Sequence, residues 1–134
     1  DFKMVKKASL ENDMGKWLLC DGLELPFFFR TFDLVIACEV LEHVTNPINV
    51  LEEMSRVSSK WILISVPLEP WWRIVNFARL KYLSSLGNTP GHINHWTKNQ
   101  IANIVSKQMK IIDIKTIFPW TFILAENNIL PKYY

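Results

Sequence analysis

A chain of 134 residues with 49% hydrophobic and 21% charged side chains suffices for one folded α/β or α+β domain and is too apolar for a disordered segment. Lys and Arg number 15 against 13 Asp and Glu, for a net charge of +2, and apart from Lys6-Lys7 the cations are scattered, so no stripe tracks a phosphate backbone and nucleic acid is not indicated. No apolar run reaches the roughly 18 residues of a membrane span, and the opening DFKMVKKASLEND lacks a signal peptide's apolar core; the expectation is a cytoplasmic protein.

In chain order, residues 2–11 place Met4, Val5, Ala8 and Leu10 among lysines at helical spacing, and Asn12-Asp13 with Gly15 read as the stop. Lys3, Lys6 and Lys7 are most simply its solvated face. Residues 16–20 (KWLLC) and 32–38 (FDLVIAC) are apolar runs of the kind that form strands buried on both faces of a parallel sheet. Between them lies a loop broken at Gly22 and Pro26. In such strands Cys20 and Cys38 are expected to be reduced, buried thiols acting as small hydrophobes.

Residues 47–57 (PINVLEEMSRV) carry Ile48, Leu51, Met54 and Val57 at helical spacing behind an Asn46 N-cap, with Pro47 at the first helical position. Residues 61–66 (WILISV) make the next buried strand, closed by Pro67; strand, helix, strand predicts a right-handed crossover. From 68 to 91 the pattern is irregular and aromatic, which reads as a partly helical insertion within a single domain spanning 1–134. Thr97 N-caps a helix over 98–107. Residues 111–118 and 121–125 are β-rich runs split by Pro119-Trp120, a connection so short that the two must be antiparallel.

In open α/β sheets ligands gather beyond the carboxyl ends of the strands, so the loops after Cys20, Cys38 and Val66 are where chemistry is sought. Asp21-Gly22 offers a carboxylate to accept an exocyclic amine and a small residue whose backbone can approach a purine, although alone the pair is more simply a turn. Glu39, Glu42 and His43 stand at i, i+3 and i+4, which gathers two carboxylates and an imidazole on one face if a helix begins by Val40. With His92 or His95 they would suit Mg²⁺, Mn²⁺ or Zn²⁺. The plainer reading, which is preferred, is a helix start with a packing histidine and no metal. His92 and His95 are loop or capping residues unless they meet a substrate. Trp71 and Trp72 are lid residues or core anchors.

CDGLELPF (20–27) and FDLVIACEVLEHV (32–44) resemble the adenine-side loop and the fourth strand, with the start of its following helix, of class I S-adenosylmethionine-dependent methyltransferases. More weakly, KWILISVP resembles the family's fifth strand, HWTKNQIANIVSKQ its last helix, and KIIDIKTIF with WTFILAEN its closing antiparallel pair. The resemblance implies a Rossmann-like α/β fold, mostly parallel with an antiparallel last strand. It implies methyl transfer from S-adenosylmethionine to an O, N or C nucleophile; the aromatics of 68–91 suggest a small-molecule or lipid-like acceptor. Asp21, Gly22 and Leu23 would then bind the adenine; Ala37, Cys38 and Glu39 would line the cofactor or methyl-transfer pocket; His43, His92 and His95 would face the substrate. The Glu39-Glu42-His43 string is similar to that of metal-dependent O-methyltransferases acting on catechol-like quinone precursors or RNA 3′ ends, and also occurs in metal-independent members.

The family's glycine-rich loop after its first strand, and the ribose-binding acid after its second, have no counterpart among four glycines with no G-x-G-x-G. DFKMVKKA resembles the helix just after that acid, so the first two strands are expected to be missing and two strand edges to be exposed. Such edges and the Trp-rich insertion would also suit a homodimer or a non-catalytic interaction module. A related enzyme using another adenine nucleotide is a third reading.

Overall fold

The computed structural model describes residues 2–11 and 15–128. The predicted stop at Asn12-Asp13 and the chain from 129 onward lie outside the described residues. The elements are α1 (Phe2–Glu11), β1 (Phe32–Cys38), a 3-10 turn (Leu41–His43), α2 (Pro47–Val57), β2 (Ser58–Pro67), α3 (Trp71–Ala78), a second 3-10 turn (Leu83–Ser85), α4 (Lys98–Ser106), β3 (Lys110–Ile117) and β4 (Trp120–Glu126).

The sheet order is β1-β2-β4-β3, with β1 parallel to β2 and β4 antiparallel to both β2 and β3. Three strands therefore share one direction and only the last opposes them, as expected. The core centres on β2 and β4, where Ile62, Ile64, Val66, Ile123 and Ala125 meet Leu51 and Met54 of α2 and Ile101 and Val105 of α4. Local signals place both helices: the Asn46 side chain accepts from the Asn49 N–H, and Thr97 with Gln100 forms a reciprocal capping box.

Three expectations fail for related reasons. Residues 16–20 are not a strand, and Trp17, Leu18 and Leu19 are exposed, because no neighbouring strand offers them ladder hydrogen bonds. Cys20 and Cys38 are free thiols as expected but exposed rather than buried. In β1 the alternation of side chains sends Ala37 into the core and leaves Leu34, Ile36 (56% exposed) and Cys38 on an uncovered face. Asn127 is buried, and its Nδ2 donates to the carbonyls of Ser55 (2.6 Å) and Ser58 (2.7 Å), tying the end of β4 to the α2–β2 junction. Helix α1 buries no residue, in keeping with a solvated lysine face.

The segment after β2 folds as α3 and a tight return through Gly87. Gly87 has φ +78°, and a Cβ there would lie 2.1 Å from the Arg73 carbonyl oxygen. Gly87→Ala is therefore expected to cost about 2 to 4 kcal/mol. Gly22→Ala, whose Cβ would meet only Val50 Cγ2 at 4.0 Å, is the control and should move stability by less than about 0.5 kcal/mol in urea denaturation.

Candidate functional site

Beyond the carboxyl end of β1 the chain turns sharply. Glu39 takes φ 56°, a left-handed conformation that is costly for a residue with a Cβ, and its N–H donates to the Ser65 carbonyl on β2 (3.2 Å). Ser65 Oγ donates to Glu39 Oε1 at 3.4 Å. The following 3-10 turn, rather than a full α-helix, brings Glu42 inward and leaves His43 exposed. The sharper turn rearranges the i, i+3, i+4 grouping: Glu42 and His43 come together with His92, while Glu39 accepts from Ser65 and stays close enough to Glu42 to raise its carboxyl.

Glu42 is 1% exposed, and among the described residues no donor meets either carboxylate oxygen in full hydrogen-bond geometry. Burial pushes its carboxyl up to about 7 and the neighbouring Glu39 carboxylate adds to the rise, while its own backbone N–H and then the His43 charge oppose it. One ligand atom each from Glu42, His43 and His92 lies within 4.8 Å of the others. His43 Nδ1 is 2.9 Å from the Gly91 carbonyl oxygen, an acceptor only, so Nδ1 carries the proton and Nε2 presents its lone pair. His92 is buried, packs edge-on to His43 with centroids 4.7 Å apart and stacks on Trp72 at 6.2 Å. Desolvation, then the charges of His43 and His95, hold it below the usual histidine range, which keeps it neutral at pH 7. His95 lies outside this cluster, exposed, with Nε2 2.8 Å from Asn88 Oδ1.

Asn94, which the sequence reading passed over, holds the two halves of the cluster together. Its Nδ2 donates to the carbonyls of Leu41 (3.0 Å) and Val44 (2.6 Å), while the N–H groups of Ile93 and Asn94 both reach the Glu42 carbonyl. A lone Asn in a GHINHW loop carries no sequence signal for that role.

The Asp21 loop is built as a turn: Asp21 Oδ1 accepts from the Leu23 N–H (2.9 Å), and Gly22 rests near Val50 of α2. Asp21, Gly22 and Leu23 are all exposed, so the edge they offer a ligand is accessible. What fixes the loop is a pair on α2 that the helical pattern of 47–57 did not single out. Glu53 and Arg56 form a two-pronged ion pair (2.7 and 2.9 Å); Glu53 Oε2 accepts from the Leu25 N–H (2.8 Å), and Arg56 donates to the carbonyls of Leu25 (2.8 Å) and Phe27 (2.7 Å). The Arg56 hydrogen bonds hold the Glu53 carboxyl below its usual range, so this pairing supports the fold above about pH 4.5 and is lost as pH falls through the depressed value. Arg56→Met should cost about 1 to 3 kcal/mol at pH 7 and flatten the acid limb of the stability curve; an unchanged limb would show that the pair does not hold the loop.

Of the residues expected around a cofactor, Cys38 and Glu39 sit at the carboxyl end of β1, Ala37 is buried in the core, and Asp21 to Leu23 form the adjoining turn. Trp72 is an anchor, donating Nε1–H to Thr89 Oγ1 (3.0 Å) and packing on Trp120, whereas Trp71 is exposed.

This architecture is shared with solved methyltransferases. A chain of the Haloferax volcanii complex between the Trm112 methyltransferase activator and its candidate methyltransferase superposes with TM-score 0.75 at 14% identity, over 93% of this chain and 68% of that one. A SAM-dependent methyltransferase from Thermotoga maritima gives 0.67 at 12%, over 92% and 70%. Magnesium protoporphyrin IX methyltransferase from Synechocystis, solved with bound SAH, gives 0.66 at 17%, over 95% and 61%. The chain thus spans roughly two thirds of the length of these structures. No curated protein sequence matches it. The fold is the one these S-adenosylmethionine-dependent methyltransferases share. Residues 1–60 match the family model described as Methyltransferase domain.

Proposed function

We propose that this chain serves S-adenosylmethionine-dependent methyl transfer to a hydroxyl-bearing small-molecule or lipid-like acceptor. The observation that carries the reading is the buried Glu42 beside His43 and His92 at the carboxyl end of β1, where an α/β sheet presents its ligands. S-adenosylmethionine supplies the electrophilic methyl, which passes to the acceptor by in-line displacement, so positioning accounts for most of the rate.

Asp21 accepts the adenine amine while the Gly22-Leu23 turn lines the ring; Ala37 backbone, Cys38 and Glu39 border the methionine side. The chain has no glycine-rich loop, so its own residues account only for those two sides of the cofactor. His92, kept neutral by burial, and His43, with Nε2 free to accept, take the proton of the acceptor hydroxyl; His95 lies further out and orients substrate from the rim. Two imidazoles and a carboxylate also fit a divalent cation of the Mn²⁺ or Zn²⁺ kind, and the orphaned Glu42 oxygens are what such an ion would satisfy. A bound cation would lower the pKa of an acceptor hydroxyl at that place. A small-molecule acceptor and a homodimer remain part of this proposal, as does a cytoplasmic location; among the described residues no helix is long and apolar enough to cross a membrane.

Isothermal titration of S-adenosylhomocysteine tests the cofactor side. Asp21→Ala should weaken binding about tenfold or more, the loss of one charge-assisted hydrogen bond, and equal affinity in the two proteins would sink the assignment.

A further inference from the structure

We propose that the outer face of α3 and the loop to Leu86 docks on an anionic lipid surface. The proposal goes beyond the catalytic reading and does not require it. Helix α3 is two-sided. Trp72 and Asn76 face inward, Trp72 onto His92 and Asn76 donating to the Gly87 carbonyl (3.1 Å), while Trp71, Ile74 and Phe77, at i, i+3 and i+6, are exposed. Beyond the helix Leu80 (77% exposed), Leu83 and Leu86 (66%) extend the same apolar surface, and Trp71 meets exposed Phe118 at 6.4 Å on the β3–β4 turn. An apolar groove of about 410 Å³ lined by Arg73, Ile74, Phe77 and Leu86 opens on this face.

Folding does not account for this arrangement. Leu80 and Leu86 both take left-handed backbone conformations (φ 56° and 51°) that cost a β-carbon residue free energy, and neither gains burial in return. An apolar patch of this extent on a helix marks a surface that something covers.

Charge selects the occupant. Between residues 68 and 91 the ionised cations are Arg73, Arg79 and Lys81, and the one acid, Glu69, is buried with its carboxyl held up by desolvation. Aromatic and aliphatic side chains flanked by cations with no exposed anion match the boundary of an anionic bilayer. A two-fold contact with a second copy would set these cations against their own mates, which disfavours that occupant. Trp72 stands between this face and His92, so the surface is separate from the cluster of Glu42, His43 and His92.

The test is vesicle flotation of the chain with phosphatidylcholine alone and with phosphatidylcholine mixed with phosphatidylserine, alongside light scattering for oligomeric state. The chain should float with the anionic vesicles, and salt should weaken it. Arg79→Gln with Lys81→Gln should lower the partition coefficient by about fivefold per cation, roughly twenty-five-fold together, and Leu80→Ser should lower it independently. All three positions are exposed, and circular dichroism confirms that the variants fold. Failure of the folded chain to float, equal flotation with neutral vesicles, or a dimer that Leu80→Ser dissociates would each overturn the proposal. None of these readouts depends on methyl transfer, so this proposal and the catalytic one fail separately.

Discussion

Replacing Glu42 by glutamine should stabilise the metal-free chain by about 2 kcal/mol at pH 8 while leaving its stability at pH 4 nearly unchanged. The carboxyl is raised from 4.5 to about 7, chiefly by burial. A carboxyl raised in the folded state supports folding fully below about 4.5, where both states are protonated, and loses that support as pH climbs through 7 and the buried group must ionise. The full shift corresponds to about 3 kcal/mol; the smaller expectation allows for partial hydration of the charge and for the buried amide's own desolvation. Urea denaturation at pH 4, 6 and 8 measures it. If wild type and Glu42→Gln lose stability in parallel over that range, the buried carboxyl is not the titrating group. A carboxylate that weakens its own fold at neutral pH is a costly feature for a core to keep, and the cost is explained if Glu42 serves the chemistry beside it.

Manganese or zinc should reverse that cost. A cation held by Glu42, His43 and His92 stabilises the folded chain alone, by about 2.7 kcal/mol at a hundredfold excess over the dissociation constant. The melting temperature of the wild type should therefore rise by several degrees on adding Mn²⁺ or Zn²⁺ and fall back with chelator, while Glu42→Gln and His92→Ala should show little response. Binding should weaken below pH 7, because the carboxyl must lose its proton and the imidazoles must stay neutral. An equal rise in all three proteins would place the metal elsewhere; no rise in any would leave Glu42 with His92 as an acid–base pair.

Much of the scaffold was legible because its signals are local. The Asn46 cap with Pro47, the Thr97-Gln100 capping box, and the apolar runs of β1 and β2 each need only a few neighbouring residues to be read, and each appears within a residue or two of its expected limits or, for β2, extended to Ser58–Pro67. Residues 16–20 failed by the same logic. Their composition suits a strand, but a strand is a ladder, and among the described residues no strand pairs with them.

The site divides in the same way. The linear pattern names the chemistry present: a carboxylate-glycine turn at Asp21, the Glu39-Glu42-His43 string, two histidines six and three positions ahead of the last helix, and a class I methyltransferase likeness. Only the tertiary structure decided which of these meet. The left-handed turn at Glu39 and the Asn94 hydrogen bonds bring Glu42, His43 and His92 together, with Glu39 beside Glu42 and His95 further out. Burial, which no linear pattern encodes, turned Glu42 from an ordinary carboxylate into one that titrates near neutrality, because its solvation depends on what the other elements place around it.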